Sequence, residues 1–328
     1  MNLDFSNDQK LLQDEASKFL IKEEALKANR AVMETKSSYD PELWQKIVQL
    51  GWTGIRIPEE FGGLGLGHLE LCVIAEELGR QLAPVPFSSS VYLFTEALLE
   101  FASEEQKTQI LPQLVSGEVV GTFAMAETAA APTEQNLVVN YADGKLSGKK
   151  IAVPDAEVAS HAIVVAKENN HATMCLVNLK DASVTVEKQN NIDESRGYFS
   201  IEFKNTPAEI IGDSGSGWLH AEKILNHAAT LFAFEQIGGA QETLDMANAY
   251  AKERYAFGRP IGSFQAIKHK LADMYIALTL AKSNSYYAAW ALSTDAAELP
   301  AAAATARVSA TKAFQLCAQE NIQTHGGN

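Results

Sequence analysis

Over the first 118 residues the pattern reads as helical, and Leu11, Leu12, Phe19 and Leu20 keep a spacing near 3.6. Asp40-Pro41-Glu42 sets an acceptor side chain before a proline at the first helical position. A helix is predicted from there to Leu50, stopping at Gly51. Residues 70–82 read as another helix, closed by the Pro84-Val85-Pro86 break. Ser103-Glu104-Glu105-Gln106 has the form of a capping box and opens a further helix, which Pro112 is expected to perturb.

From residue 119 the period shortens to two. Residues 119–124 form a strand by this measure. Residues 137–141 run into Ala142-Asp143-Gly144-Lys145, a hairpin signal. Segments 161–167, 172–179, 183–188 and 198–203 continue the pattern. Short strands at close spacing, with no helix between them, predict a small antiparallel barrel or sandwich.

The helical period returns in three long runs, 218–255, 264–292 and 296–324, which describe a bundle. The alanines around 301–310 suit a tightly packed helix face. The fold class is therefore α+β. Its predicted domains are an N-terminal helical one (1–118), a middle β one (119–213) and a C-terminal helical bundle (214–328).

Composition narrows the function classes. The chain has 328 residues and 46% apolar content, enough for a large core. Its 27 basic against 41 acidic residues leave a formal charge of −14, which speaks against nucleic acid as a partner, because phosphate contacts need a basic footprint. Cys72, Cys175 and Cys317 are odd in number and widely spaced, so neither a disulfide framework nor a zinc knuckle is expected. The first residues lack the apolar core of a secretory signal. No apolar run approaches the ~20 residues of a membrane span. A cytoplasmic protein without a membrane partner is the expectation. The histidines lack metal-ligand spacing, His220 and His227 being seven positions apart, so no metal is expected.

Two segments carry candidate chemistry. The glycine-dense Phe61-Gly62-Gly63-Leu64-Gly65-Leu66-Gly67 is followed by no Lys-Ser or Lys-Thr and reads as a structural turn. The stretch from Arg254 to Gln265 is more informative. One helix is expected to end near Phe257-Gly258, Pro260 to block its continuation, and a second to start at Ser263 as N-cap. Arg254, Arg259 and Gln265 then surround a tight joint. A guanidinium beside helix-start N–H groups is either an anion site, able to grip a pyrophosphate, or a solvated arginine beside a loop.

Several separated segments together resemble the acyl-CoA dehydrogenases. They include Pro58-Glu59-Glu60-Phe61-Gly62-Gly63-Leu64-Gly65, Ala75-Glu76-Glu77-Leu78-Gly79 and Leu146-Ser147-Gly148-Lys149-Lys150. Residues 254–265 with Leu271-Ala272-Asp273-Met274, and Gln323-Thr324-His325-Gly326-Gly327, complete the set. The likeness spans the whole chain in order. It implies a helical domain, a central β-barrel and a C-terminal bundle of four-helix type, with FAD between the latter two. It also implies subunits that pair, as a dimer or tetramer, so that each helps to hold its neighbour's flavin. The residues matching Arg254, Phe257 and Gln265 contact FAD across that interface in the family, and those matching Gln323, Gly326 and Gly327 pack on its adenosine side. The implied reaction is α,β-dehydrogenation of an acyl-CoA substrate. A Glu removes the α-proton, hydride passes to the flavin, and an electron-transfer flavoprotein is a possible acceptor.

The chain departs from the family pattern at three places. Ala126 and Pro132 stand where the barrel motif carries flavin- and CoA-contacting side chains, and Ala152-Val153-Pro154 replaces an aromatic wall. The base position of one family branch matches Ala228. The commoner base lies past Asn328, so the sequence ends inside a family motif and reads as a shortened product or as lacking its tail. Glu235, seven positions from Ala228 in an otherwise apolar helical run, is the remaining candidate within the chain. The base is therefore Glu235 or a glutamate beyond residue 328. These departures also open an alternative: a catalytically impaired partner subunit that completes the FAD site of a related subunit in an α2β2 assembly. In the family, such mixed assemblies go with bulky thioesters such as steroid side-chain acyl-CoAs.

Overall fold

A computed structural model describes residues 5–326. Helices α1 (Asn7–Lys22), α2 (Ala25–Thr35), α3 (Pro41–Gln49), α4 (His68–Arg80), α5 (Glu96–Phe101) and α6 (Glu104–Ser116) precede the sheet. Strands β1 (Gly121–Ala124), β2 (Asn140–Ala142), β3 (Lys145–Pro154), β4 (His161–Glu168), β5 (His171–Asn178), β6 (Val184–Lys188) and β7 (Tyr198–Ile211) follow. The long helix α7 (Gly217–Glu253), a short ribbon of β8 (Tyr255–Ala256) and β9 (Arg259–Pro260), α8 (Gln265–Ser293) and α9 (Leu299–His325) complete the chain. The α+β class, with N-terminal helices, a barrel-like sheet and a C-terminal bundle, is the one read from the sequence.

Helix starts follow the local chemistry. Asp40 accepts from the N–H groups of Glu42 and Leu43 at 2.9 and 3.0 Å and opens α3. Ser103 and Gln106 bond each other's backbone N–H and open α6. Pro112 lies inside α6 without ending it. Ile110, Leu111 and Leu114 are buried on either side of it, and that packing outweighs one lost backbone bond, so the helix runs on to Gly117 at φ 75°. The glycine-dense segment is a turn, with Gly62 at φ 85° and Gly65 at φ 60°.

The chain forms two compact units. One comprises residues 27–66 and 84–228. Within it β4, β2, β3, β7 and β5 pair in that order, and β5 returns to pair with β4, which closes the sheet into a barrel. The strands are not all antiparallel. β1 runs parallel to β4, and a single bridge, Asn140 to Lys167, pairs β2 parallel to β4. The β2–β3 hairpin lies between β1 and β4 in the chain; β2 follows β1's direction, β3 opposes it, and the segment after β3 turns the chain back into β4. Asp143 at φ 50° and Gly144 at φ 75° make its tight turn. Leu146, Val164, Cys175, Val177, Ile201 and Phe203 are among the side chains of the barrel core.

The same unit holds a π-helical stretch, Ser88–Thr95, buried throughout. Thr95 Oγ1 donates to the carbonyl of Ser90, five residues back, at 2.8 Å and so supports the wide turn. Ser89 Oγ donates to Asp155 at 2.5 Å. Helical periodicity does not reveal such a stretch, because its apolar residues are buried on every side.

The other unit comprises residues 1–26, 67–83 and 229–328. Here α4 and α7 touch backbone to backbone. A Cβ on Gly79 would lie 2.0 Å from the carbonyl oxygen of Glu235, and one on Gly238 would lie 1.9 Å from that of Glu76. Only glycine allows this approach. Along α9, Ala302, Ala303, Ala306, Ala310 and Ala313 are buried, as the alanine-rich run suggested.

Candidate functional site

The joint between α7 and α8 differs from its sequence-based outline. The helix ends at Glu253, before Phe257, and residues 255–260 form a two-stranded ribbon instead. Tyr255 pairs with Pro260 and Ala256 with Arg259, and the tip is Phe257-Gly258 at φ 51° and 77°. Two successive positive φ values are those of a type I′ turn, which suits Gly258 and strains Phe257. The N–H of Ile261 closes the ribbon on the carbonyl of Arg254 at 2.8 Å. Ser263 is not the cap of α8. It lies in a 3₁₀ turn, Ile261–Ser263, and the extended residue before the helix is Phe264, so no side chain caps the first turn.

These displacements concentrate donors at one place. The Arg259 guanidinium sits 4.0 Å above the Phe264 ring, and Phe264 meets Phe257 edge-on at 6.3 Å. Phe257 is 96% exposed. Arg254, Arg259 and Gln265 are exposed around it. Holding a large aromatic residue in the left-handed region at full exposure costs energy and points to a function at this tip. Two guanidinium groups, an amide and an uncapped helix start form a donor set suited to a diphosphate and to a flat ring beside it.

The end of α9 lies beside the end of α7. His325 stacks on Tyr250 at 4.2 Å between ring centroids, and its Nδ1 lies 2.9 Å from the carbonyl oxygen of Asn321. His325 thus packs the helix ends together. Gln323 is exposed on α9, and Gly326 terminates it at φ 75°. Gly327 lies outside the described residues. Arg254, Phe257 and Gln265 therefore share one joint, and the stacked rings tie the α9 terminus to α7 one turn before Arg254.

Glu235 is half-buried on α7, at the turn where that helix meets Gly79. Ala228 is buried on the same helix. The residue before it, His227, belongs to a polar group that sequence reasoning missed. Its Nδ1 lies 3.1 Å from one oxygen of the fully buried Glu96, whose other oxygen receives Arg56 Nε at 3.1 Å. A glutamate inside the apolar run 87–98 was the signal available for it.

In the barrel wall, Lys150 and Glu127 form a buried pair at 2.7 Å, also unanticipated. Burial lowers the Lys150 pKa below the ordinary lysine value, and hydrogen bonding and charge from Glu127 oppose this. At Ala152 the β3–β7 register shifts, and the residue takes φ 50°. Its N–H donates to Gln189 Oε1 at 2.7 Å, and the carbonyl of Ala126 accepts from Ile151 at 2.8 Å. Both backbone groups are thus already engaged within the barrel.

Family models for the acyl-CoA dehydrogenase N-terminal domain and the acyl-CoA dehydrogenase C-terminal domain match residues 6–118 and 215–328. The acyl-CoA dehydrogenase IpdE2 of Mycolicibacterium smegmatis is 31% identical over 98% of this chain and 88% of its own. The chain belongs to the acyl-CoA dehydrogenase family. Among solved structures, butyryl-CoA dehydrogenase of Megasphaera elsdenii superposes with a TM-score of 0.90 at 26% identity, covering all of this chain and 90% of the other. The ChsE4–ChsE5 complex of Mycobacterium tuberculosis gives 0.88 at 27%, covering all of this chain and 88% of the other. Membership in the family joins the chain to the oxidoreductases that act on acyl-CoA. Among the described residues no helix is long and apolar enough to cross a membrane.

Proposed function

We propose that the chain is a subunit of an FAD-dependent enzyme that introduces an α,β double bond into an acyl-CoA thioester. The observation carrying this reading is the α7–α8 joint, where Phe257 is displayed at positive φ among Arg254, Arg259, Gln265 and the uncapped start of α8. The cofactor is FAD, which when bound supplies the acceptor for the hydride that leaves the β-carbon. Arg254 would grip its diphosphate, Gln265 hydrogen-bond it and Phe257 lie against a ring, with Gln323 and Gly326 toward the adenosine side. The joint is exposed, so it serves a flavin held by an adjoining protomer of a dimer or tetramer.

The α-proton goes to the carboxylate of Glu235, or to a glutamate beyond residue 328. A thioester α-proton is too weakly acidic to leave unless the thioester oxygen meets fixed hydrogen-bond donors. A carboxylate base near neutrality needs partial removal from water. The half-buried setting of Glu235 supports this role. An electron-transfer flavoprotein is the acceptor we propose for the reduced cofactor.

A second reading rests on the barrel wall. Ala126 and Pro132 offer no donor side chain, and the Ala152 N–H already serves Gln189. A chain with an intact joint and a depleted wall suits a partner subunit, one that completes the FAD site of a related catalytic subunit in an α2β2 assembly. Its substrate would be a bulky thioester such as a steroid side-chain acyl-CoA. The likeness to the ChsE4–ChsE5 complex supports a heteromeric arrangement.

Expression alone and with a related subunit separates the two readings. A yellow homo-oligomer with one FAD per chain, bleached by acyl-CoA, supports the first. Colourless protein that acquires flavin only in a mixed assembly supports the second. Absence of flavin in both preparations overturns both.

A further inference from the structure

We propose a second ligand site, for a small phosphate ester, in the cavity between the α2–α3 joint and the β6–β7 loop. This cavity belongs wholly to the barrel-containing unit and has a volume of about 390 Å³. That is within the range of small-molecule pockets. Lys36, Lys188 and Arg196 converge on it, with the amides of Gln189, Asn190 and Asn191 beside them. Three cations around one hollow stand out in a chain of net charge −14. Asp193 and Glu194 line the rim and Asp155 pairs with Arg196, so the attraction rests on the placement of the donors rather than on an excess of positive charge. The Asp193 carboxylate is occupied by its own turn, accepting from the N–H and hydroxyl of Ser195 at 2.9 and 2.5 Å.

The donors are held in place by the fold. Arg196 Nη2 donates to Asp155 at 2.5 Å, and Asp155, only 1% exposed, also accepts from Ser89. A guanidinium braced by a buried carboxylate keeps its orientation. Lys188 Nζ donates to the carbonyl of Lys36 at 2.7 Å, which joins the two walls of the cavity. Lys36 itself is held at φ 55°, a conformation that costs a non-glycine residue energy. Gln189 accepts the Ala152 N–H through Oε1, so its NH₂ remains the donating end of the side chain. The braced Arg196 and Lys188, with the Gln189 amide, favour a compact anion with several acceptor oxygens, because part of the ordering is done before binding.

The test uses the whole chain saturated with FAD, titrated calorimetrically with inorganic phosphate, AMP and adenosine. Phosphate and AMP are expected to bind saturably, and adenosine not to bind. Lys36→Gln and Lys188→Gln should each weaken AMP by about tenfold or more. Lys36 lies at an exposed helix end, so its variant remains informative should Lys188→Gln unfold. Excess FAD added to the saturated protein should leave AMP binding unchanged, which separates this site from the flavin joint. The proposal is overturned by an absence of saturable binding, by adenosine binding as tightly as AMP, by unaltered affinity in both lysine variants, or by displacement of AMP with excess FAD.

Discussion

Lys150 Nζ lies 2.7 Å from Glu127 Oε1 in the barrel wall, with the lysine side chain wholly out of solvent. The ammonium also donates to the carbonyl of Met125 at 2.9 Å. Glu127 accepts in addition from the backbone N–H groups of Val138 and Val139 at 2.5 and 3.1 Å. One carboxylate thus closes the neck of the segment between residues 127 and 138 and neutralises the lysine beneath it. Lys150→Met strands that carboxylate and is expected to destabilise the fold by about 3–5 kcal/mol. Urea unfolding followed by circular dichroism measures this; a loss below 1 kcal/mol contradicts the proposed bracing.

Phe257 stands at φ 51° in the ribbon turn. Asparagine accepts that conformation more readily. Phe257→Asn should therefore keep the stability of the protein or raise it by up to about 1 kcal/mol. FAD retention should fall at the same time. Parallel loss of stability and flavin in thermal melts and absorbance spectra would assign the ring to packing instead.

Arg254→Ala removes a charge-assisted contact from the same joint and should weaken FAD at least about tenfold. Flavin released on dialysis reports the change. Undiminished occupancy contradicts the phosphate-gripping role.

Glu235→Gln preserves shape and removes the base. The variant should hold FAD as the parent does, while flavin reduction by acyl-CoA slows by about two or more orders of magnitude. Stopped-flow bleaching measures it, and an unaltered rate removes Glu235 from the mechanism.

Glu76 supplies a pH dependence. Burial raises its pKa, with Lys282 at 3.7 Å opposing and Glu77 reinforcing the shift; Arg80 also opposes it. The folded state holds the proton more tightly than the unfolded chain. The resulting stabilisation is complete below the ordinary glutamate range and is lost as pH rises through the raised folded value. Glu76→Gln should therefore gain on the parent between about pH 4 and pH 7. Urea midpoints at both pH values test this. A constant difference contradicts the assigned cause.

What could be read from residue order alone was whatever neighbours in the chain decide. Asp40, Ser103 and the Asp143-Gly144 turn act on residues two to four positions away, so their elements were legible. The change from helical to alternating period marked the barrel, and the motif set from Pro58 to Gly327 marked the family. Arg254, Phe257 and Gln265 were legible as a group because a dozen residues contain them. The three-dimensional fold alone decided that Phe257 tips a ribbon rather than ends a helix, since that depends on strand pairing across Pro260. It alone decided the π-helical turn, the parallel course of β1 beside β4, and the Glu96–His227 and Lys150–Glu127 pairs. These join residues up to 131 positions apart, and no local periodicity carries the energy of a contact that exists only after the chain has closed on itself.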